Sequence, residues 1–302
     1  MVMLILFPDK YIKLTLDGIK IWALTVLPSL LPFFFLTTLF TFVGFVGRIS
    51  NLMLPLTKRI YGVSGIGFYV QLMSFLSGYP IGAKIVSDLA KNGVIDKKQA
   101  NSIATFSSTS GPLFIVGSVG IGMFLSKKIG YILLISHLLG SIICGMIFKL
   151  ILKPTSESTS LCVSKTCDNV LYESIYSAVI SVIIVGGFIA IFYTLSAIIA
   201  DIKILYPLEA ILKPIFGNLS DGILTGIIEC TMGAKKLSLM PSAISITLTC
   251  GIISFGGISV WCQSLIYLTQ AKVNIEIFAL SKLVHTAISM IICYVLLLIV
   301  GL

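Results

Sequence analysis

Two lysines lie inside apolar stretches of this sequence, and they are its strongest candidates for binding a charged solute. Lys84 ends the segment Ser77–Lys84 (SGYPIGAK), and Lys235 ends a second Gly-Ala-Lys. A cation within a membrane-spanning region costs about 2.5–3.5 kcal/mol on insertion scales, so it commonly has a function or a partner. We predict that both lysines, with free backbone amides beside them, bind an anionic solute. Alternatively, each lysine reaches the interface or pairs locally, Lys84 with Asp88 at i,i+4 spacing.

The predicted solute site also includes the polar and glycine residues around the two lysines and around the interruptions in the apolar segments. These residues are Ser77, Gly78, Tyr79, Pro80, Gly82, Ser108, Ser110, Gly111, Gly233 and Ser254. Proline removes a backbone donor and glycine accepts unusual backbone conformations, so a helix is expected to break at these positions. A break inside a membrane has to be buried in protein or line a wet cavity, because lipid cannot satisfy its backbone groups.

Three further ionisable residues in apolar surroundings are candidates for coupling or gating. Glu229 accepts a coupling proton in one interpretation and pairs with Lys236 in the other. His137 and His285, the only two histidines, exchange protons or hydrogen-bond neighbouring helices. The sequence has no HExxH, no GK[ST] phosphate loop and no GxSxG elbow. We therefore expect neither enzymatic activity nor a metal or cofactor.

The composition indicates that membrane-spanning helices hold these residues. The 302-residue chain is 57% hydrophobic and 11% charged, whereas ordinary globular chains carry roughly 25% charged residues. Several apolar runs reach the ~20 residues that span a hydrocarbon core. Most cations behind the net charge of +9 flank these runs, as expected near lipid headgroups, so we predict no nucleic-acid binding. The predicted class is an all-α, multi-pass integral membrane protein.

The order of segments predicts two similar halves joined by a polar linker. An amphipathic helix over 8–20 and a spanning segment over 21–47 begin the chain. The rest of the first half, which covers 1–152, is predicted as a hairpin over 62–92, a broken helix over 101–126 and a spanning helix over 129–152. The linker covers 153–172 and the second half covers 173–302. The hairpin is predicted to be re-entrant rather than a full crossing, because its apolar stretch is short.

Matching residues in the two halves indicate an internal duplication. The two Gly-Ala-Lys segments, the glycines at Gly111 and Gly256, and His137 and His285 all recur in the same order about 150 residues apart. If the Lys84 and Lys235 segments are re-entrant, each half crosses three times and the repeats are inverted. If they cross fully, each half crosses four times and the repeats are parallel. We predict the inverted arrangement.

Four sequence motifs carry a resemblance to a known family. LPSLLPF at 27–33, SGYPIGAK at 77–84, SGPLF at 110–114 and the later Gly-Ala-Lys resemble the YlbJ/SpoVV sporulation integral membrane proteins. That family is similar to the wider group with a gate, or nucleoside-recognition, domain and to the core of concentrative nucleoside transporters. The second half is less similar, with Glu-Cys-Thr-Met in place of Ser-Gly-Tyr-Pro.

The resemblance implies transport of dipicolinic acid across the outer forespore membrane during endospore formation. It also implies two hairpins and two broken helices that meet at mid-membrane, with the solute as partner and H⁺ or Na⁺ as coupling ion. We expect the first hairpin to supply most solute contacts and the second to gate or couple. A nucleoside-type solute, a non-transporting membrane scaffold for sporulation, and assembly as a homo-oligomer stay open alternatives.

Overall fold

A computed structural model describes residues 2–43, 45–154 and 169–302, and its regular structure within those ranges is entirely helical. Four helical stretches of the described residues are long and apolar enough to cross a membrane: Lys127–Leu152, Val170–Asp201, Ala243–Leu268 and Ile275–Val300. A fifth candidate is the pair Val46–Tyr61 and Ile66–Ser77, which is bent by 89°. The predicted class, an all-α multi-pass membrane protein, is confirmed.

The N-terminal part is one long helical run followed by an amphipathic helix. Its elements are α1 (Val2–Leu6), α2 (Pro8–Ile21), a first π-helix (Trp22–Val26), α3 (Leu27–Phe42) and α4 (Phe45–Tyr61). The amphipathic helix predicted at 8–20 continues without a break into the predicted span, through a π-helical turn over Trp22–Val26 that directly precedes Pro28. The ring of Trp22 packs over Gly186 of α9 (Val170–Asp201), and its Nε1 donates to the carbonyl of Val182 at 3.0 Å.

The remainder of the first half contains a hairpin and a broken helix. Its elements are α5 (Ile66–Ser77), α6 (Ile81–Lys91), α7 (Lys97–Phe106), a second π-helix (Leu113–Met123) and α8 (Lys127–Leu152). The chain leaves the helical conformation at 78–80, the first tip, and at 107–111, the first break. Asp96 caps α7 by accepting from the backbone N–H of Gln99 at 2.7 Å, and Ser126 caps α8.

The second half follows the same order of elements. It consists of α9, α10 (Tyr206–Phe216), α11 (Leu219–Ile228), α12 (Cys230–Ser238), α13 (Ala243–Phe255), α14 (Gly257–Leu268) and α15 (Ile275–Val300). Helix α9 begins at Val170, inside the linker predicted at 153–172, most of which lies outside the described residues. The second tip is at Glu229, between α11 and α12, and the second break is at Gly256, between α13 and α14.

Contacts between the halves are reciprocal. Helix α6 of the first hairpin packs on α14, and α12 of the second hairpin packs on the second π-helix. In the same way α7 contacts α15, and α13 contacts α8. Helices α8 and α15 pack along each other, with the side chain of Ser289 filling the space beside Gly140. These paired contacts are what two related halves produce, so they favour the predicted duplication.

Candidate functional site

The first hairpin tip lies directly against the first break. A β-carbon placed on Gly78 would lie 2.6 Å from the backbone nitrogen of Gly111, and Gly78 has a φ of 84°. A β-carbon on Gly82 would lie 1.8 Å from the carbonyl oxygen of Ser107. Only glycine allows these backbones to approach so closely. The hydroxyls of Ser74 and Thr109, 2.8 Å apart, add a hydrogen bond between the hairpin and the break.

The second tip meets the second break in the same manner. A β-carbon on Gly257 would lie 3.1 Å from the carbonyl oxygen of Ile228 and 3.2 Å from the backbone nitrogen of Cys230. Gly257, with a φ of 73°, is therefore the structural counterpart of Gly111, whose own β-carbon would meet Ser77. The repeat predicted from the sequence pairs Gly111 with Gly256, so the correspondence seen in the structure differs from it by one residue.

Glu229 caps the second hairpin's returning helix. Its carboxylate accepts from the backbone N–H of Thr231 at 3.1 Å and of Met232 at 2.7 Å, and the residue is buried. The predicted pairing with Lys236 is wrong, because the Nζ of Lys236 lies 2.9 Å from the carboxylate of Asp221 on α11. A carboxylate at the positive end of a helix is stabilised there, which accounts for its burial.

A cavity of about 420 Å³ lies between the two tips and the first break. Its polar lining comes from Ser77, Gly78, Tyr79, Ser110, Gly111, Ser118, Glu229, Cys230, Thr231 and Gln263. Its apolar walls come from α3, at Leu30 and Phe33, and from α9, at Val185 and Ile189. The volume falls within the range of about 300–1,000 Å³ typical of small-molecule sites. The hydroxyl oxygen of Ser77 is buried and has no hydrogen-bond partner among the described residues.

The two lysines on which the sequence prediction centred do not line this cavity. Lys84 is buried and its Nζ lies 3.0 Å from the carboxylate of Asp88, the local pairing that its spacing allowed. Lys235 lies exposed on α12. Of the other predicted residues, Pro80, Gly82, Ser108, Gly233 and Ser254 also lie outside the cavity lining. The lysines are therefore not placed to hold a solute in this cavity.

His137 connects the two breaks. Its Nε2 accepts the backbone N–H of Ser110 at 2.9 Å, so the proton of the neutral ring resides on Nδ1. Nδ1 then donates to the hydroxyl of Ser254, 2.9 Å away, next to the second break. His285 lies beside it and donates from Nε2 to the carbonyl of His137 at 2.9 Å. Neither ring lines the cavity, and these contacts favour the hydrogen-bonding alternative over proton coupling.

Lys282 on α15 is a buried cation that the sequence argument overlooked. It is 1% exposed, and its Nζ donates to the hydroxyl of Tyr79 at 2.7 Å and to the carbonyl of Ser108 at 2.9 Å. The same Nζ lies 4.7 Å from the centre of the Tyr79 ring. The available signal was a lysine within the apolar segment 275–302, the criterion that selected Lys84. Lys282 has no glycine or proline neighbour and no counterpart in the first half.

The positions of these charged residues determine the charge of the cavity. Glu229 is its one carboxyl group, and no lysine, arginine or histidine is among the described residues that line it. Hydroxyl groups, a side-chain amide and apolar walls supply the other contacts. Such a lining binds by hydrogen bonds and apolar contact rather than by ion pairs.

The sequence is similar to a sporulation integral membrane protein over most of its length. It is 27% identical over 310 residues to the sporulation integral membrane protein YlbJ of Bacillus subtilis strain 168, an alignment that covers 92% of this chain and 75% of YlbJ. No protein-family model and no solved structure matches the sequence. The similarity confirms the predicted resemblance to YlbJ and an integral membrane location, and it is consistent with a membrane role in sporulation. The likeness to nucleoside transporters stays a prediction.

Proposed function

We propose that this protein is a secondary transporter or facilitator that moves a small solute through the cavity between its two hairpin tips. The observation that carries the proposal is this cavity, because both tips and the first break contribute to its lining. A solute bound there touches elements from both halves of the chain. Movement of one half against the other would then change the side from which the solute is reached.

The solute that we propose is a small organic anion, and dipicolinic acid is the candidate from the family resemblance. Its aromatic ring suits the apolar walls formed by α3 and α9, and its carboxylates suit the hydroxyls of Ser77, Ser110 and Thr231. The carboxylate of Glu229 opposes an anion in the same cavity. Protonated Glu229 would instead donate a hydrogen bond to a solute carboxylate, so we propose H⁺ as the coupling ion and Glu229 as its carrier.

A neutral nucleoside-type solute is the second candidate. The absence of lysine, arginine and histidine among the described cavity residues supports it, because a neutral solute needs no counter-charge. Gln263 and Glu229 offer the paired donors and acceptors that hydroxyl-rich and base-containing solutes use.

Counterflow uptake into proteoliposomes distinguishes these candidates. Labelled dipicolinate and a labelled nucleoside are offered in parallel to the wild type and to two serine variants. Ser77→Ala removes the unpartnered hydroxyl of a cavity-lining residue, and Ser87→Ala removes an unpartnered buried hydroxyl of α6, outside the cavity. We expect dipicolinate uptake that Ser77→Ala reduces and Ser87→Ala preserves. Uptake of the nucleoside alone would support the second candidate.

A scaffold role is the conclusion if neither solute enters the proteoliposomes. Absence of both signals from folded, correctly inserted protein would contradict transport of these solutes and favour the non-transporting alternative. Thermal unfolding of each variant, measured on the same preparations, separates loss of uptake from loss of fold.

A further inference from the structure

The ammonium of Lys282 lies where the first hairpin tip, the first break and α15 meet. Its two hydrogen-bond acceptors are the hydroxyl of Tyr79 at the tip and the carbonyl of Ser108 in the break. Ser108 belongs to the non-helical segment 107–111, and its carbonyl faces the Lys282 ammonium rather than a helical N–H. The lysine therefore reaches across from the second half to a non-helical part of the first.

The groups that contact Lys282 resemble the ligands of a dissolved monovalent cation and not the carboxylate partner of an ion pair. They are a carbonyl oxygen and a phenol oxygen, and both are neutral. No carboxylate forms a salt bridge with Lys282 among the described residues, whereas Lys84 has Asp88. Unwound backbone carbonyls in discontinuous membrane helices are the usual ligands of Na⁺ in transporters. The Nζ distances of 2.7 and 2.9 Å fit charge-assisted hydrogen bonds.

We propose that Lys282 is a tethered cation, which occupies the position that a dissolved monovalent cation would otherwise take between the first hairpin tip and the unwound segment 107–111. The protein supplies this charge from its own chain and needs no Na⁺ there. The proposal concerns the assembly of the tip and the break, and it holds whether or not the cavity transports a solute.

The tethered charge also positions a residue of the cavity. Tyr79 is a residue of the cavity lining, and its hydroxyl is held by Lys282 and lies 3.3 Å from the carbonyl oxygens of Ile253 and Ser254. Without the ammonium, the carbonyl of Ser108 loses its hydrogen-bond donor and the hydroxyl of Tyr79 loses the donor that holds it. Lys282 is therefore a positioning residue for the first tip.

Chemical rescue tests the proposal. Lys282→Ala removes the propylammonium portion of the side chain, and thermal unfolding is followed in detergent with choline, sodium, ammonium or n-propylammonium chloride at equal ionic strength. We expect the Tm of the variant in choline to fall by about 5 °C or more below that of the wild type. Ammonium or n-propylammonium should restore a substantial part of that loss. The wild type should have the same Tm in sodium as in choline.

A second buried lysine provides the matched control. Lys84→Ala also removes a buried lysine, but its partner Asp88 is 43% exposed and can be solvated, so its Tm should not respond selectively to ammonium salts. A folded Lys282→Ala variant that none of the cations stabilises would overturn the proposal. If this variant does not fold, the wild type decides: a higher Tm in sodium than in choline contradicts the tethered cation, and an unchanged Tm supports it.

Discussion

The Nδ1 of His137 lies 2.9 Å from the hydroxyl oxygen of Ser254, a hydrogen bond that joins the first half of the chain to the second break. The opposite ring nitrogen of His137 accepts the N–H of Ser110 in the first break. One imidazole thus holds both interrupted helices in a fixed relation, near the cavity but not in it. The ring acts here as a two-sided connector, which requires its neutral form.

Substitution of His137 should reveal this connecting role. His137→Ala leaves the buried N–H of Ser110 without an acceptor, which costs about 1–3 kcal/mol. His137→Gln places an amide oxygen near the position of Nε2 and should retain more stability. Thermal unfolding of the two variants checks this order. Equal stability of both variants would contradict the connecting role. Loss of a pH-dependent uptake step in a stable His137→Gln variant would favour proton exchange.

Gly82 should not tolerate even one added methyl group. The β-carbon of Gly82→Ala would lie 1.8 Å from the carbonyl oxygen of Ser107, so the hairpin and the first break cannot both keep their positions. We expect a destabilisation of about 3 kcal/mol or more, since overpacked sites commonly cost about 1–3 kcal/mol and here the obstacle is backbone. The yield and Tm of the purified variant measure it.

Gly187→Ala is the matched control for Gly82→Ala. Gly187 lies within helix α9, and a β-carbon there would meet nothing within 4 Å. Because alanine favours a helix over glycine by about 1 kcal/mol, this variant should be as stable as the wild type or more so. Similar losses in both variants would show that the membrane helices resist substitution generally, and the close approach at Gly82 would lose its significance.

Substitution of Glu229 should distinguish its role as a helix cap from a role in proton coupling. Glu229→Gln keeps an oxygen that can accept from the backbone of Thr231 or Met232, so its stability should stay within about 1 kcal/mol of the wild type. Under the proposed function the same variant should lose the dependence of dipicolinate uptake on a proton gradient. Uptake by Glu229→Gln that still follows the gradient would exclude Glu229 as the proton carrier.

Lys235 and Lys84 should matter little for uptake. Lys235 is exposed on α12, and Lys84 pairs with the partly exposed Asp88, so neither reaches the cavity. We expect Lys235→Ala to resemble the wild type and Lys84→Ala to retain its uptake, although removal of this buried side chain lowers stability. Dipicolinate uptake measured on both variants tests this expectation. Loss of uptake at normal stability in either variant would restore the original hypothesis of lysine-bound solute.

The breaks in the helices were predictable from local chemistry, whereas most contacts between them were not. Gly78 and Pro80 in one segment, and Gly111 and Pro112 in the other, mark positions where a helix cannot continue, and the structure interrupts its helices there. The i,i+4 spacing of Lys84 and Asp88 also indicated the observed ion pair. Each of these features depends on residues that are close in sequence.

The role of Lys282 required information that a single sequence does not hold. Its partners Tyr79 and Ser108 lie 203 and 174 residues away, and no local pattern indicates which distant oxygen a lysine will meet. The preference for Lys84 and Lys235 over Lys282 came from the duplicated Gly-Ala-Lys, a backbone motif. The chain follows a similar path at the two tips, but the cation beside the first tip comes from α15, at a position without a lysine counterpart in the first half.

The long separation of these partners has a consequence for biosynthesis. Tyr79, Ser108 and His137 are translated well before α15, which carries Lys282 and His285. Until α15 enters the membrane, the carbonyl of Ser108 and the hydroxyl of Tyr79 lack the donor that Lys282 supplies, so we expect the first half to stay incompletely packed. Insertion of the last described helix is then the step that completes the fold, and truncation before Lys282 should yield chains that quality-control proteases remove.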